Sequence, residues 1–307
     1  MNNPDLLTER LKLKSQVSTW RTITFIILIV SVLAAFGINK GLDKLKNPNK
    51  SDEPFIARIN LEGIIFEDNE RLDIIKELGE DEKVKAVIMH INSPGGSAVG
   101  GESVYKALKN LNTKKPVVVV MNSLAASAAY MGSLGTSQIF AQNGTITGSI
   151  GVVMEIPNLK EVADKLGVKF EYIKTSPLKG SPSLFEPRNE EAIKSLDVMM
   201  QDFYQYFIEI VAKERNIPLN TAKKLADGRV FSGKAALDNK LVDAIGGEIE
   251  AKEWLVKNEG LDSKLEVYEV KLYKPKSKFE EFLGSLSENL GIESLTGKIF
   301  NFKGLLS

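Results

Sequence analysis

The chain of 307 residues has no cysteine and a single histidine, His90. The first absence excludes disulfides and thiolate metal sites, and the second makes a zinc hydrolase a poor fit. No Gly-rich Walker or dinucleotide loop is present, and no basic stripe interleaved with aromatics points to nucleic acid. No sign of charge dominates, because 40 basic residues balance 40 acidic ones. The sequence therefore implies no cofactor and no metal. With 43% apolar and 26% charged residues it can bury a full α/β core, so one large domain with short appendages fits better than two domains.

Against this background one serine stands out. Ser127 lies in the run Asn122-Ser-Leu-Ala-Ala-Ser-Ala-Ala-Tyr130, directly after the apolar strand pattern Val117 to Met121. A second strand pattern, Val84 to Asn92, stops at Asn-Ser-Pro and turns on Gly95 and Gly96. A serine at one strand end and a bare glycine turn at another are what acyl transfer requires: an attacking hydroxyl beside backbone N–H groups that face the developing oxyanion. The hydroxyl also needs a base, and the residues leave two kinds open: the imidazole of His90 or the amine of a lysine. His90 falls inside its strand rather than at the end, which favours a structural or surface place for it.

Several stretches together resemble one family. Ile91-Asn-Ser-Pro-Gly-Gly96, the Ala-Ala-Ser-Ala-Ala-Tyr box and Thr145-Ile-Thr-Gly-Ser-Ile-Gly-Val152 are similar to the signal peptide peptidase A (protease IV) family of membrane-bound serine proteases. Ser176-Pro-Leu-Lys-Gly-Ser-Pro182, Ala226-Asp-Gly-Arg-Val-Phe-Ser-Gly-Lys-Ala-Ala236, Leu241-Val-Asp243 and Gly246 follow in the family order. The Asn-Ser-Pro-Gly-Gly turn is shared with caseinolytic protease subunits. The resemblance implies a layered α/β fold of the crotonase and caseinolytic-protease type and a Ser/Lys dyad, with Ser127 as nucleophile and Lys179 as general base. It also implies a homo-oligomer in which neighbouring protomers share each active site. For such a dyad, N–H groups from Gly95 or Gly96 and from Ala128 would hold the oxyanion, and Ser149 is the candidate hydroxyl to hold and orient the neutral lysine.

The chain departs from the family where Ala128 and Ala129 replace a usual Gly-Gly, and where Gly180 rather than an acidic residue follows the lysine. A lysine serving as base near neutral pH must lose roughly three pKa units, about 4 kcal/mol, which burial can supply. Pro177, Leu178, Pro182, Leu184 and Phe185 around Lys179 predict such an apolar setting. The rival base, Lys174, ends the alternating run Val168 to Lys174, which reads as a half-exposed strand with the lysine toward water.

Residues 1–21 form a charged leader and residues 22–38 an uncharged apolar stretch, just long enough for a bilayer core of about 30 Å. It lacks a clean Ala-x-Ala exit, so an uncleaved signal anchor in the lipid bilayer is expected. Lysines and arginines flank both ends, and only the resemblance assigns a cytoplasmic N-terminus and an extracytoplasmic catalytic domain at the cell membrane. Residues 39–54 read as a solvated linker, 55–260 as the protease domain, and 261–307 as a strand followed by an amphipathic helix carrying Phe279, Phe282, Leu283, Leu286 and Leu290 on one face.

The reading that follows is a membrane-anchored serine endopeptidase acting on residual signal peptides or other short hydrophobic peptides. A catalytically weak membrane scaffold or peptide-binding protein of the same fold is the alternative. An acyl-CoA enzyme of the crotonase type is disfavoured by the anchor and the lysine box.

Overall fold

The computed structural model describes residues 20–21, 24–27 and 53–273. The chain divides into two units, Met1–Glu53 and Pro54–Ser307. Residues 20–21 and 24–27 are helical, but most of the expected anchor at 22–38 and nearly all of the linker at 39–54 lie outside the described residues. So does the amphipathic segment from 274 onward. No helix among the described residues is long and apolar enough to cross a membrane.

In the second unit strands and helices alternate: β1 (Phe55–Ile65), α1 (Asn69–Glu80), β2 (Val84–Gly96), α2 (Ala98–Asn112), β3 (Val117–Ala126), α3 (Ala128–Ser133), β4 (Gln138–Ala141) and β5 (Ile146–Gly148). Then come α4 (Lys160–Lys165), α5 (Glu190–Glu214), α6 (Leu219–Leu225), β6 (Val230–Ser232), α7 (Gly233–Asp238), β7 (Ala244–Ile245), α8 (Glu248–Glu259) and β8 (Val267–Glu269). The strands form one sheet in the order β6-β5-β3-β2-β1-β8, with β4 pairing β3 and β7 beyond it. Every pairing is parallel except β5 with β6.

Parallel strands covered on both faces read as nearly continuous apolar runs, and β2 and β3 do. Their alternation feeds two cores. Val87, Met89 and Ile91 with Val117, Val119 and Met121 point into a large core under α1, α2, α3 and α5. Ala86 and Ile88 with Val118 and Val120 point into a smaller one against Ala251 and Leu255 of α8. His90 shares the parity of Ile88 and so faces the α8 side. Sequence signals set the helix starts too: Asp68 caps α1 by accepting from Arg71 N at 3.0 Å, and Ser97 caps α2 by accepting from Gly100 N at 3.0 Å.

Between β5 and α5 the pattern changes. Residues 151–189 hold only the short α4, and their large apolar side chains are uncovered: Val153 is 86% exposed, Leu166 74% and Ile173 106%. The expected strand at Val168 to Lys174 is absent. Alternation alone does not make a strand when no neighbouring strand is there to receive its backbone hydrogen bonds.

Candidate active site

The serine's backbone lies in a region that non-glycine residues rarely adopt. Ser127 has φ 55° and ψ −122°, between the last residue of β3 and the first of α3. A non-glycine residue held there costs about 1–3 kcal/mol and persists only where its surroundings fix it. Those surroundings are visible: Ser127 N donates to Gly148 O at 2.8 Å, and Met131 N closes the first turn of α3 on Ser127 O at 2.9 Å. The Ser127 side chain makes no capping hydrogen bond, so its hydroxyl is not consumed by the helix it precedes.

Glycines let the neighbouring backbone close in. Gly95 has φ 110°, and a Cβ on it would lie 2.8 Å from Ser127 Cβ and 3.0 Å from Ala128 N. A Cβ on Gly96 would meet Ile65 O at 1.8 Å, because β1 runs alongside the turn. The two glycines differ in their N–H groups. Gly95 N donates to the buried Ser93 Oγ at 3.1 Å, so Gly95 is already engaged, and Gly96 with Ala128 remain as the better oxyanion donors. Ser93 stands in the Asn-Ser-Pro-Gly-Gly turn two residues before Gly95, the spacing of a serine turn.

The Ala-Ala departure is resolved by packing. Ala128 and Ala129 are absent from the residues with positive φ, and both are buried in α3, so alanine is unstrained there. Room for the Ala128 methyl comes from Gly101 of α2, where an added Cβ would lie 2.8 Å from it. Ser149 directly follows β5, whose Gly148 O accepts from Ser127 N, and has φ 49° with its N–H donating to Arg229 O at 2.9 Å. The Asp227-Gly-Arg229 turn thus braces this second strained serine. Thr147 Oγ1 donates to Ala125 O at 2.7 Å and fastens β5 to β3 just ahead of the pair.

His90 lies elsewhere in its bonding. Nδ1 is 3.2 Å from Asn122 Oδ1 and Nε2 is 2.8 Å from Glu248 Oε2, which also receives Arg58 at 3.2 Å. Both ring nitrogens are therefore engaged on the α8 face, and among the described residues no hydrogen bond links His90 to Ser127.

The lysines correct two expectations. Lys179 is exposed on the turn 177–180, and Leu184 beside it is exposed as well, so its own chain does not supply the apolar burial predicted for it. The reason is that the whole 151–189 segment lies off the core. Among the described residues no hydrogen bond joins Lys179 to Ser127 or to Ser149. Lys174, expected toward water, is instead 18% exposed and paired with Glu186 at 2.7 Å, with its ammonium 5.1 Å above the Tyr172 ring. The structure thus gathers Ser127, Gly95, Gly96, Ala128 and Ser149, and among the described residues it shows no hydrogen bond from the Lys179 side chain to any of them.

Residues 109–262 match the model for peptidase family S49. The chain belongs to peptidase family S49, the signal peptide peptidase A proteases. A protein of Synechocystis sp. named as a protease is 36% identical over 248 residues, covering 78% of this chain and 89% of that one. Protease 4 of Haemophilus influenzae is 36% identical over 68% of this chain, and the chloroplastic serine protease SPPA of Arabidopsis thaliana 31% over 76%. Those two are longer proteins, of which the match covers 35% and 34%. Residues 67–139, from α1 to β4, also match the Clp protease model. Among solved structures, a membrane-bound stomatin-specific protease aligns at 16% identity over 74% of this chain and all of its own, with a TM-score of 0.48. An S49 member is a serine protease, and its core is the layered α/β sheet described above.

Proposed function

We propose that the protein is a membrane-anchored endopeptidase that cleaves residual signal peptides or other short hydrophobic peptides with a Ser127/Lys179 dyad. The observation that carries this reading is the strained φ of Ser127 at the mouth of β3, with its hydroxyl free of the helix and the Gly95-Gly96 turn pressed against it. Ser127 Oγ attacks the scissile carbonyl carbon while Lys179 Nζ takes the hydroxyl proton. The tetrahedral oxyanion is held by N–H groups of Gly96 and Ala128. Collapse breaks the C–N bond, Lys179 passes its proton to the leaving amine, and water then hydrolyses the acyl-serine with the lysine again as base.

The uncovered apolar residues of 151–189 support a homo-oligomer, since exposed apolar surface of this extent on one segment is the usual mark of a protein contact. A neighbouring copy would also provide the desolvation that Lys179 lacks within its own chain, so each site would combine one protomer's serine with another's lysine. Residues 22–38 would anchor the chain in the bilayer, with the catalytic unit outside the cytoplasm.

The test is labelling of the full chain in detergent micelles with a fluorophosphonate, together with hydrolysis of an apolar quenched peptide. Ser127→Ala should abolish both. The exposure of Lys179 favours one second reading, a peptide-binding scaffold of the same fold, which predicts peptide binding with neither label nor cleavage.

A further inference from the structure

The segment that bears Lys179 is closed at its base by a half-buried ion pair. Lys174 Nζ lies 2.7 Å from Glu186 Oε2, with side chains only 18% and 22% exposed, although most of the surrounding segment faces solvent. Ser181 Oγ joins them, 3.1 Å from Lys174 Nζ and 3.2 Å from the same carboxylate oxygen. The hydrogen bond from Lys174 holds the Glu186 carboxyl below its usual range. Two further pairs run across the loop. The Tyr172 and Ser183 hydroxyls are 2.8 Å apart, and the Phe170 and Phe185 rings stack at 4.0 Å between centroids with planes 9° apart.

These pairs join residues 170–174 to residues 181–186 and leave 175–180 as a tight tip. Backbone hydrogen bonds from Lys179 N to Ser176 O at 3.2 Å and from Ser181 N to Leu178 O at 3.1 Å shape that tip. Lys179 is on it, with no hydrogen bond to its ammonium among the described residues. We propose that Lys174 and Glu186 are positioning residues for the reaction: their ion pair closes the neck of the loop and fixes where Lys179 is delivered. The inference rests on Lys179 being the general base, and it holds whether the serine that Lys179 meets is on its own chain or on a neighbour. It also gives Lys174 a role other than base, because its ammonium is committed to a carboxylate.

The physical stake is geometric. Reacting groups must approach within about 3–3.5 Å, and a misplacement of about 1 Å costs roughly 10²-fold in rate. An exposed loop tip has no core to hold it at that tolerance, so the neck must. The pair therefore affects turnover more than substrate affinity, since neither residue is placed on the peptide.

The experiment measures kcat and KM of the full chain in detergent micelles on a quenched apolar peptide, with melting temperature and assembly size recorded for each variant. Glu186→Gln and Lys174→Met should each lower kcat about 10- to 100-fold, with KM changed less than about threefold. Lys174→Arg, which keeps the pair, should retain most of the turnover. The charge-swapped double variant, Lys174→Glu with Glu186→Lys, should recover activity that both single changes lose, a coupling that general loosening of the segment would not produce. If Lys179→Ala is inactive while Glu186→Gln and Lys174→Met turn over normally, the positioning role is wrong and the dyad stands. If Lys179→Ala is active, the dyad and this inference both fall; loss of activity in Lys174→Met and Lys174→Arg alike would then name Lys174 as the base.

Discussion

The serine's surroundings and the lysine's are built in opposite ways. Around Ser127 every approach is tight: glycines at 95, 96 and 101 leave no room for a methyl, strands on both sides fix the backbone, and the strained φ is locked by hydrogen bonds. Around Lys179 the chain is open. Added Cβ atoms at Gly167 and Gly180 would meet nothing within 4 Å, and apolar side chains along the segment face outward. On the proposed reading, the serine's half-site is complete within one chain and the lysine's is not. Residues 151–189 would then be completed by contact with a neighbouring copy of the chain.

The harshest way to break this comparison is to remove the reacting group on each side. Ser127→Ala and Lys179→Ala should each lower kcat/KM on the order of 10⁴-fold or more, because nucleophile and base act as a unit. His90→Ala should keep most activity, its ring being tied to Asn122 and Glu248 on the far face. Mixing the two inactive variants, with subunit exchange verified by mass, should restore a fraction of the sites. Absence of recovery would confine the dyad to one chain and remove the argument that a neighbour completes the lysine side.

Glycine replacements sharpen the contrast between tight and open. Gly96→Ala drives a methyl into Ile65 O, so the turn must shift and kcat should fall about 10²-fold through misplaced oxyanion donors. Gly167→Ala meets no neighbour and carries only the left-handed backbone penalty of about 1–2 kcal/mol at its φ of 71°, spent locally. Its kcat should remain near that of the parent chain. Equal losses in the two variants would mean that the open segment is as constrained as the core.

Much of the tight half was legible in the sequence. Continuous apolar runs separated by capped helices marked β1 to β3, and the Gly-Gly turn and the serine fell at strand ends where backbone donors become available. Local pattern could not show what depends on approach in space. Gly101 making room for Ala128 and Thr147 fastening β5 are tertiary facts carried by ordinary residue types, whereas Ser93 on the Gly95 N–H is a local turn. The open half misled for a related reason. The alternation of Val168 to Lys174 imitates a strand because alternate residues share one set of contacts, Phe170 on Phe185, Tyr172 on Ser183 and Lys174 on Glu186, while Ile173 between them faces outward.

Smaller effects follow from charging the uncovered surface. Ile173→Asp and Val153→Asp alter side chains that touch little within the chain, so the melting temperature of a dissociated protomer should move by no more than about 0.5 kcal/mol equivalent. Assembly should nonetheless weaken, read as a shift to smaller species in sedimentation of the detergent-solubilised chain, and activity should fall with it. Unchanged sedimentation would show that this apolar surface is not the contact.

The smallest expected effect on turnover lies wholly on the tight side. Near the end of α5, Glu214 accepts from Tyr105 Oη at 2.5 Å and pairs with Lys109, tying α5 to α2. Burial alone would raise the Glu214 pKa, but the hydrogen bonds from Lys109 and Tyr105 outweigh it and the net direction is down from 4.5. A carboxyl whose folded pKa is depressed stabilises the fold above its unfolded pKa and loses that contribution as pH falls through the folded value. Glu214→Gln should therefore cost about 1 kcal/mol at neutral pH, after discounting for solvent screening. The deficit should be constant from pH 7 down to about 5, shrink as pH drops below about 4.5, and vanish in more acid solution. Turnover per folded site should not change, because Glu214 braces the helix layer and touches neither strained serine. A deficit that grew toward acid would reverse the sign of the linkage, and an equal loss of turnover would join α5 to the reacting geometry, erasing the division between a finished half-site and an open one.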